Sequence, residues 1–286
     1  IENIAAACEG TFVGDRNLVT KEIAGAVTDS RQIQKDYLFI PIKGARVDGH
    51  DFIPQVFEQG ALVVLSDHAL PEETGPYILV SSTTEAMKKI AAFYRTQLSC
   101  KVVGITGSVG KTSTKEMIAS VLEQRYKVLK TEGNFNNEIG LPLTIFKIRA
   151  KHEVAVLEMG ISDFGEMHRL AAMARPDIGV ITNIGLCHLE NLGTRDGILQ
   201  AKTEMFDHLQ VDGTVILNGD DDKLSTKKEV NGKPVIFYGV GADSAFDIKK
   251  DIYATDIENH GLEGMCAKIH TPQGDFDAKI PIPGEH

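Results

Sequence analysis

Residues 106–113 read TGSVGKTS, between the apolar run KVVGITG and a segment of helical character that starts at Lys111. A strand that breaks into a flexible loop and restarts as a helix aims successive backbone N–H groups and the positive end of the helix dipole at an anion. Lys111 would lie against the outer phosphates of such a ligand, and the Thr112 hydroxyl would join a Mg2+ shell. The spacing is unusual: the common phosphate loop wants a glycine five positions before Gly110, where Ile105 stands, and Gly107 makes a shorter loop. The stretch predicts a nucleotide site and leaves its class open.

In an open α/β sheet ligands gather outside the carboxyl ends of the strands, so chemistry is expected just past the apolar runs. Glu158 closes EVAVLE and His188 follows DIGVITNIG. Glu158 is either a surface-turn glutamate or, beside a phosphate loop, an oxygen ligand for Mg2+. His188 is either a hydrogen-bonded loop histidine or a member of the same site. Lys202 breaks the pattern of its own segment: in DGILQAKTEMFDHL, Ile198, Met205, Phe206 and Leu209 mark an apolar helix face, and Lys202 falls on it. A lysine there must snorkel, pair or lose its charge. Near a metal it can instead be carboxylated at its amine, which turns a cation into an anionic ligand. The GxSxG, CxxC and HExxH patterns are missing, as is the NKxD base reader of a GTPase switch.

The elements that must position these residues fall into two styles. Up to about residue 98 the chain mixes short strand-like runs (EIAGAVTDSR, DYLFIPIKGARVDGHDF, GALVVLSD, PYILVSS) with turns, and ends in a helix-like stretch with Met87, Ile90, Ala91 and Tyr94 at helical spacing. A boundary is expected near Leu98 and Ser99, giving domains 1–98 and 99–286. Beyond it, apolar runs alternate with amphipathic helices at 111–124, around 164–174 and at 196–209, as in a mostly parallel sheet covered on both faces. The tail from Asp251 alternates in polarity around TPQGD and predicts antiparallel hairpins. The fold class is therefore α/β, an N-terminal mixed domain followed by a phosphate-loop domain with a hairpin tail.

Bulk properties agree with this. A chain of 286 residues, 42% hydrophobic and 24% charged, suits two domains that each bury a core. The formal charge of −10 argues against nucleic acid as a partner and favours a small anionic ligand in a local basic pocket. Cys8, Cys100, Cys187 and Cys266 lack metal-ligand spacing and read as reduced thiols of a cytosolic protein. With no apolar stretch of membrane-spanning length and no secretory leader, the expected location is cytoplasmic, without an integral membrane segment. The chain does not begin with Met, as expected of a trimmed or partly observed chain.

The short TGxxGKT loop resembles the ATP loop of the Mur ligase family of peptidoglycan synthesis. GNFNNEIGLPLT at 133–144, LEMGISDFGEM at 157–167 and NIGLCHLENLGTRDGILQAKTE at 183–204 are similar to the branch that joins D-alanyl-D-alanine to UDP-N-acetylmuramoyl-tripeptide. TDSRQIQKDYLFIPIKGARVDGHDFI at 28–53 is similar to the family's UDP-sugar domain, which implies substrate contacts at Ser30, Arg31, Lys43, Gly44, Asp48, Gly49 and His50. The resemblance covers nearly the whole chain. It implies ATP at Gly107, Ser108, Val109, Gly110, Lys111, Thr112 and Ser113, with Asn134 and Asn137 in a loop between ATP and substrate. It also implies metal ligation by Thr112, Glu158, His188 and Lys202, catalytic roles for Lys111, Glu158, His188 and Lys202, and a monomer. Lys202, in AKTE, matches the lysine that several members carry as a carbamate. Family members have a third, Rossmann-like domain that closes over ATP. This sequence stops at IPIPGEH, similar to the family's PGxHN segment in the central domain, so residues 1–286 alone are expected to bind UDP-substrate or nucleotide without turnover. The rivals are another amino-acid-adding member, a folylpolyglutamate synthetase, against which the DGH-bearing N-terminal domain stands, and a non-catalytic nucleotide-binding module.

Overall fold

The run GALVVLSD and its shorter neighbours become strands because β-branched and aromatic residues are bracketed by turn formers. In the computed structural model, which describes residues 1–281, they are β1 (Thr11–Val13), β2 (Gly25–Val27), β3 (Tyr37–Phe39), β4 (Ala61–Ser66) and β5 (Tyr77–Leu79). Residues 282–286, which include the PGEH stretch, lie outside the described residues. The sheet order is β1-β5-β4-β3-β2, parallel from β2 to β5, with β1 antiparallel to β5. Helices α1 (Glu2–Ala7), α2 (Ile53–Glu58) and α3 (Thr83–Thr96) accompany it. Phe39, Ile53, Val56, Val64 and Tyr77 form a buried cluster of this unit. The Ser82 hydroxyl starts α3 by accepting the Glu85 N–H at 3.3 Å, and the helix buries Ala86, Met87, Ile90 and Ala91. Tyr94 is half-buried and donates its hydroxyl to the Ile148 carbonyl at 2.6 Å.

The second unit opens with β6 (Lys101–Thr106), α4 (Lys111–Leu122) and β7 (Val128–Lys130). The chain then leaves it. Residues 132–151, with α5 (Gly140–Ile145), belong to the first unit, where α5 packs on α3 and Leu141, Ile145, Phe146 and Ile148 are buried. The pattern-based division into 1–98 and 99–286 lacks this excursion, because the short α5 carries no long amphipathic period. The chain returns with β8 (Val154–Glu158), α6 (Glu166–Ala174), β9 (Ile178–Ile181), α7 (Leu189–Leu192), α8 (Arg195–Thr203) and β10 (Thr214–Asn218). It continues through β11 (Glu229–Val230), β12 (Lys233–Val240), β13 (Ile252–Asn259), β14 (Met265–Thr271) and β15 (Gly274–Ile280).

The order β15-β14-β13-β12-β10-β9-β6-β8-β7 is parallel from β13 to β7 and antiparallel in the tail. Every residue of β8 is buried, as a strand covered on both faces requires. The helix expected over 196–209 ends sooner: α8 stops at Thr203 and a 3-10 turn covers Glu204–His208. The Thr203 hydroxyl turns back to the Leu199 and Gln200 carbonyls at 2.9 and 3.0 Å. Such back-bonding bends helices, and Met205 and Phe206 stay buried through the tighter turn.

Candidate functional site

β6 lies between β8 and β9, all parallel, so the residues past their carboxyl ends share one rim. The TGSVGKTS loop leaves β6 there and enters α4 through Gly110, whose φ of +78° suits glycine at the N-cap. Lys111 sits at the first helical position, and its Nζ donates to the Gly107 and Ser108 carbonyls at 2.9 and 3.3 Å. Thr112 Oγ1 donates to Glu158 Oε2 at 3.0 Å, which ties the loop to the end of β8. Glu158 is buried, and its main-chain N–H is held by Thr131 Oγ1 at 2.9 Å. A hydroxyl and a carboxylate so placed beside a phosphate loop are hard oxygen donors of the kind that fit Mg2+.

The loop is clamped by residues that belong to no motif. The Val109 N–H donates to Asn183 Oδ1 at 3.0 Å, Asn183 Nδ2 donates to the Val109 carbonyl at 3.1 Å, and the Ser108 N–H donates to the Asn183 carbonyl at 3.1 Å. Thr182 Oγ1 also donates to the Val109 carbonyl, and the Gly185 N–H donates to Ser108 Oγ. The signal in the sequence was position alone: Asn183 follows β9 just as the loop follows β6. Lys115 was missed too. It lies one turn after Lys111 on α4, is fully buried, and donates to the Thr131 carbonyl at 2.7 Å. Thr131 thereby supports both Lys115 and Glu158.

His188 caps the start of α7 with φ of +63° and is half-buried. It lies in the stretch after β9, while Ser113 is exposed on the first turn of α4. Lys202 sits on the buried face of α8, as its spacing predicts. Burial, reinforced by repulsion from the Lys111 ammonium, pulls its pKa down to about 8. The amine is thus more basic unfolded than folded, so the folded chain loses this proton first. Stability should rise with pH between about 8 and 10.5 and carry the full cost below 8. That cost is roughly 3 kcal/mol. Lys202→Met, which keeps the stem and removes the charge, is expected to stabilise the protein at pH 7 by about 2 kcal/mol and to flatten this slope. Urea unfolding of both proteins at pH 7 and at pH 9.5 checks it.

Asn134 and Asn137 belong to the first unit. The Asn137 carboxamide oxygen accepts the Ile139 and Gly140 N–H groups at 3.2 and 2.8 Å, so this side chain shapes the entry to α5. The N-terminal candidates follow the carboxyl ends of β2 and β3. Ser30 and Arg31 follow β2 in a 3-10 turn capped by Asp29, which also pairs with the exposed Arg31 guanidinium at 2.7 Å. That pair holds the Asp29 carboxyl below the usual carboxylate range. Lys43 and Gly44 open the hairpin after β3, where Lys43 bridges to Asp48. A Cβ on Gly49 would meet the Ile42 nitrogen at 2.7 Å, so only glycine fits this approach. The His50 N–H and Nδ1 both contact Asp48 Oδ1, at 3.0 and 2.6 Å, and lower the pKa of that carboxyl. Asp67 and His68 come directly after β4 and carried no motif.

A phosphate-loop motif on the rim, backed by a buried carboxylate on a parallel sheet, defines an α/β protein of the phosphate-loop class. The chain belongs to the Mur ligase family: residues 105–286 match the Mur ligase middle domain, and residues 22–95 match the domain described as Mur ligase family, catalytic domain. It is 43% identical, over its whole length, to the UDP-N-acetylmuramoyl-tripeptide--D-alanyl-D-alanine ligase of Bacillus subtilis, of which it spans 60%. A crystal structure of MurF from Acinetobacter baumannii superposes with a TM-score of 0.86 at 32% identity, covering 98% of this chain and 60% of that one. The MurF ligase of Thermotoga maritima in complex with ADP gives 0.77 at 30% identity over 93% of this chain and 59% of that one. The chain thus spans about three fifths of the length of these relatives. Among the described residues no helix is long and apolar enough to cross a membrane, and all four cysteines are free thiols.

Proposed function

We propose that residues 1–286 are the part of a cytoplasmic, ATP-dependent peptide ligase that binds UDP-N-acetylmuramoyl-tripeptide and ATP, and that the enzyme joins the tripeptide to D-alanyl-D-alanine. The observation that carries the ligase reading is the buried Glu158 carboxylate hydrogen-bonded to Thr112 of the phosphate loop. The branch rests on the likeness to the Bacillus subtilis ligase over the full chain.

A carboxylate is a poor acyl donor, and ATP supplies the remedy. The peptide carboxylate attacks the γ-phosphorus, the bond to ADP breaks, and an acyl phosphate forms. The amine of D-alanyl-D-alanine then adds to its carbonyl carbon. The tetrahedral intermediate loses phosphate, the nitrogen gives up a proton, and an amide with ADP and phosphate remains. The protein's share is placement and charge neutralisation, since two anions must meet in the first step. Lys111 would leave the loop carbonyls for the outer phosphates, and Asn183 would keep the loop backbone in register with them. Thr112 and Glu158 would hold Mg2+, joined by His188 and a carbamylated Lys202; the ion would neutralise phosphate charge. A partly neutral Lys202 amine suits carbamylation, because the nitrogen lone pair attacks the carbon of CO2 and a proton leaves. In the first unit Ser30, Arg31, Lys43, Gly44, Asp48, Gly49 and His50 would line the UDP-sugar site.

The test is phosphate release from ATP by the protein carried to the full length of its relatives. UDP-dipeptide and UDP-tripeptide acceptors are each paired with D-alanyl-D-alanine or a single amino acid. Release only with tripeptide plus D-alanyl-D-alanine is expected. A preference for a single amino acid would reassign the branch, and release with no acceptor requirement would remove the ligase reading.

A further inference from the structure

His50 stands between two carboxylates. Its Nδ1 is 2.6 Å from Asp48 Oδ1, a contact that an Nδ1–H donor satisfies and that leaves Nε2 as the ring nitrogen open to a cation. Nε2 faces Asp67 Oδ1 at 3.4 Å, is buried, and makes no hydrogen bond. A ring nitrogen and a carboxylate oxygen that face each other at this distance need a cation between them, and a metal ion fills that place as well as a proton does. His68 approaches the same oxygen, with Nδ1 at 2.8 Å from Asp67 Oδ1 and its ring centroid 4.9 Å from that of His50. Among the described residues this is the one group of three such side chains whose ligand atoms lie within 4.8 Å of one another.

We propose that His50, Asp67 and His68 form a binding site for a borderline divalent cation of the Zn2+ class. Two imidazole nitrogens and one carboxylate oxygen are the donors such ions prefer over Mg2+ or Ca2+, and three protein ligands leave a fourth position open. The 3.4 Å between Nε2 and Oδ1 matches the edge of a tetrahedron whose metal–ligand bonds are about 2.0–2.1 Å, and the 2.8 Å hydrogen-bond contact of His68 Nδ1 with the same oxygen would open by about half an ångström on binding. Asp48 fixes the tautomer and orientation of His50 from behind, as the outer carboxylate does in carboxylate–histidine–metal triads. The His50 side chain is 8% exposed and those of Asp67 and His68 are 40% and 57% exposed, so the site has one rigid ligand and an open mouth. The cation would tie the loop after β3 to the residues after β4. This site goes beyond the ligase reading and does not depend on it.

Co2+ titrated into the protein without nucleotide or UDP-substrate should give a ligand-field band in the visible that saturates at one equivalent and is displaced by Zn2+. Zn2+ should also raise the Tm. His68→Ala and Asp67→Ala alter exposed side chains, so both variants are expected to fold, with unchanged metal-free Tm. Each should weaken Co2+ binding at least about tenfold, since each removes a first ligand where even an outer partner is worth that much. His168→Ala removes one member of the other close histidine pair, whose nitrogens with His208 are 3.1 Å apart, and should leave the band intact. Absence of the band would mean that a proton alone lies between His50 and Asp67, and would overturn the proposal. A band that survives both His68→Ala and Asp67→Ala, or is lost in His168→Ala, would overturn it equally.

Discussion

Gly107→Ala is expected to disable the phosphate loop and to cost the fold about 3 kcal/mol. A Cβ at this position would lie 1.9 Å from Thr182 Oγ1 and 3.1 Å from Thr182 Cβ. The hydroxyl cannot rotate away freely, because it donates to the Val109 carbonyl at 2.7 Å. The φ of +152° adds backbone strain for any residue with a side chain. Relief requires the loop and the post-β9 stretch to separate, which breaks the Asn183 contacts that hold Ser108 and Val109. The expected result is a fall in Tm of roughly 6–12 °C for a protein of this size, with nucleotide affinity reduced at least about tenfold. Gly110→Ala is the comparison: its added Cβ meets nothing within 4 Å. Only the strain of φ +78° remains, worth about 1 kcal/mol. Thermal unfolding and fluorescent-nucleotide binding on both variants separate the two cases; equal losses would show that the Thr182 contact is unimportant.

Glu158→Gln should do the reverse, sparing the fold and removing the activity. The amide has the volume of the carboxylate and can still accept from Thr112 Oγ1, while the cost of burying a charge disappears. Stability at pH 7 should therefore be unchanged or higher. Turnover by the proposed full-length ligase should fall by a factor on the order of 10²–10³, the usual cost of losing one electrostatic contact that strengthens in the transition state. The loss should appear in kcat, with the Mg2+ concentration needed for half-maximal rate raised. Steady-state kinetics at several Mg2+ concentrations reads both, and a full rate at ordinary Mg2+ would take Glu158 out of the reaction.

The placement of these candidates on one rim was legible because they sit at or past the ends of apolar runs. Lys111 and His188 follow a strand-like segment and Glu158 ends one, and parallel strands in one sheet bring such positions to one rim whatever the order of the strands. Lys202 was legible for another reason: the 3.6-residue period places it among Ile198 and Met205, and the structure buries it there. Asn183, Thr131, Thr182 and Lys115 were not legible. Each acts through a hydrogen bond to the backbone or hydroxyl of a segment far away in sequence, and no local period or spacing encodes such a partner. The same holds for Asp67, an ordinary acid after a strand until His50 and His68 are seen to converge on it.

Sequence by itself determined the elements and their class. Local hydrophobic period, turn chemistry and the short glycine loop are properties of neighbouring residues, and they predict the α/β architecture, the loop-to-helix junction at Gly110 and Lys111, and the antiparallel tail. Only the tertiary structure decided which units those elements join. Residues 132–151 pack with the first unit because Leu141, Ile145 and Ile148 find their burial there, a matter of long-range contact. It also decided the electrostatics. The pKa of Lys202 falls because desolvation and the Lys111 charge act through space, and both exist only once β6, α4 and α8 have been brought together.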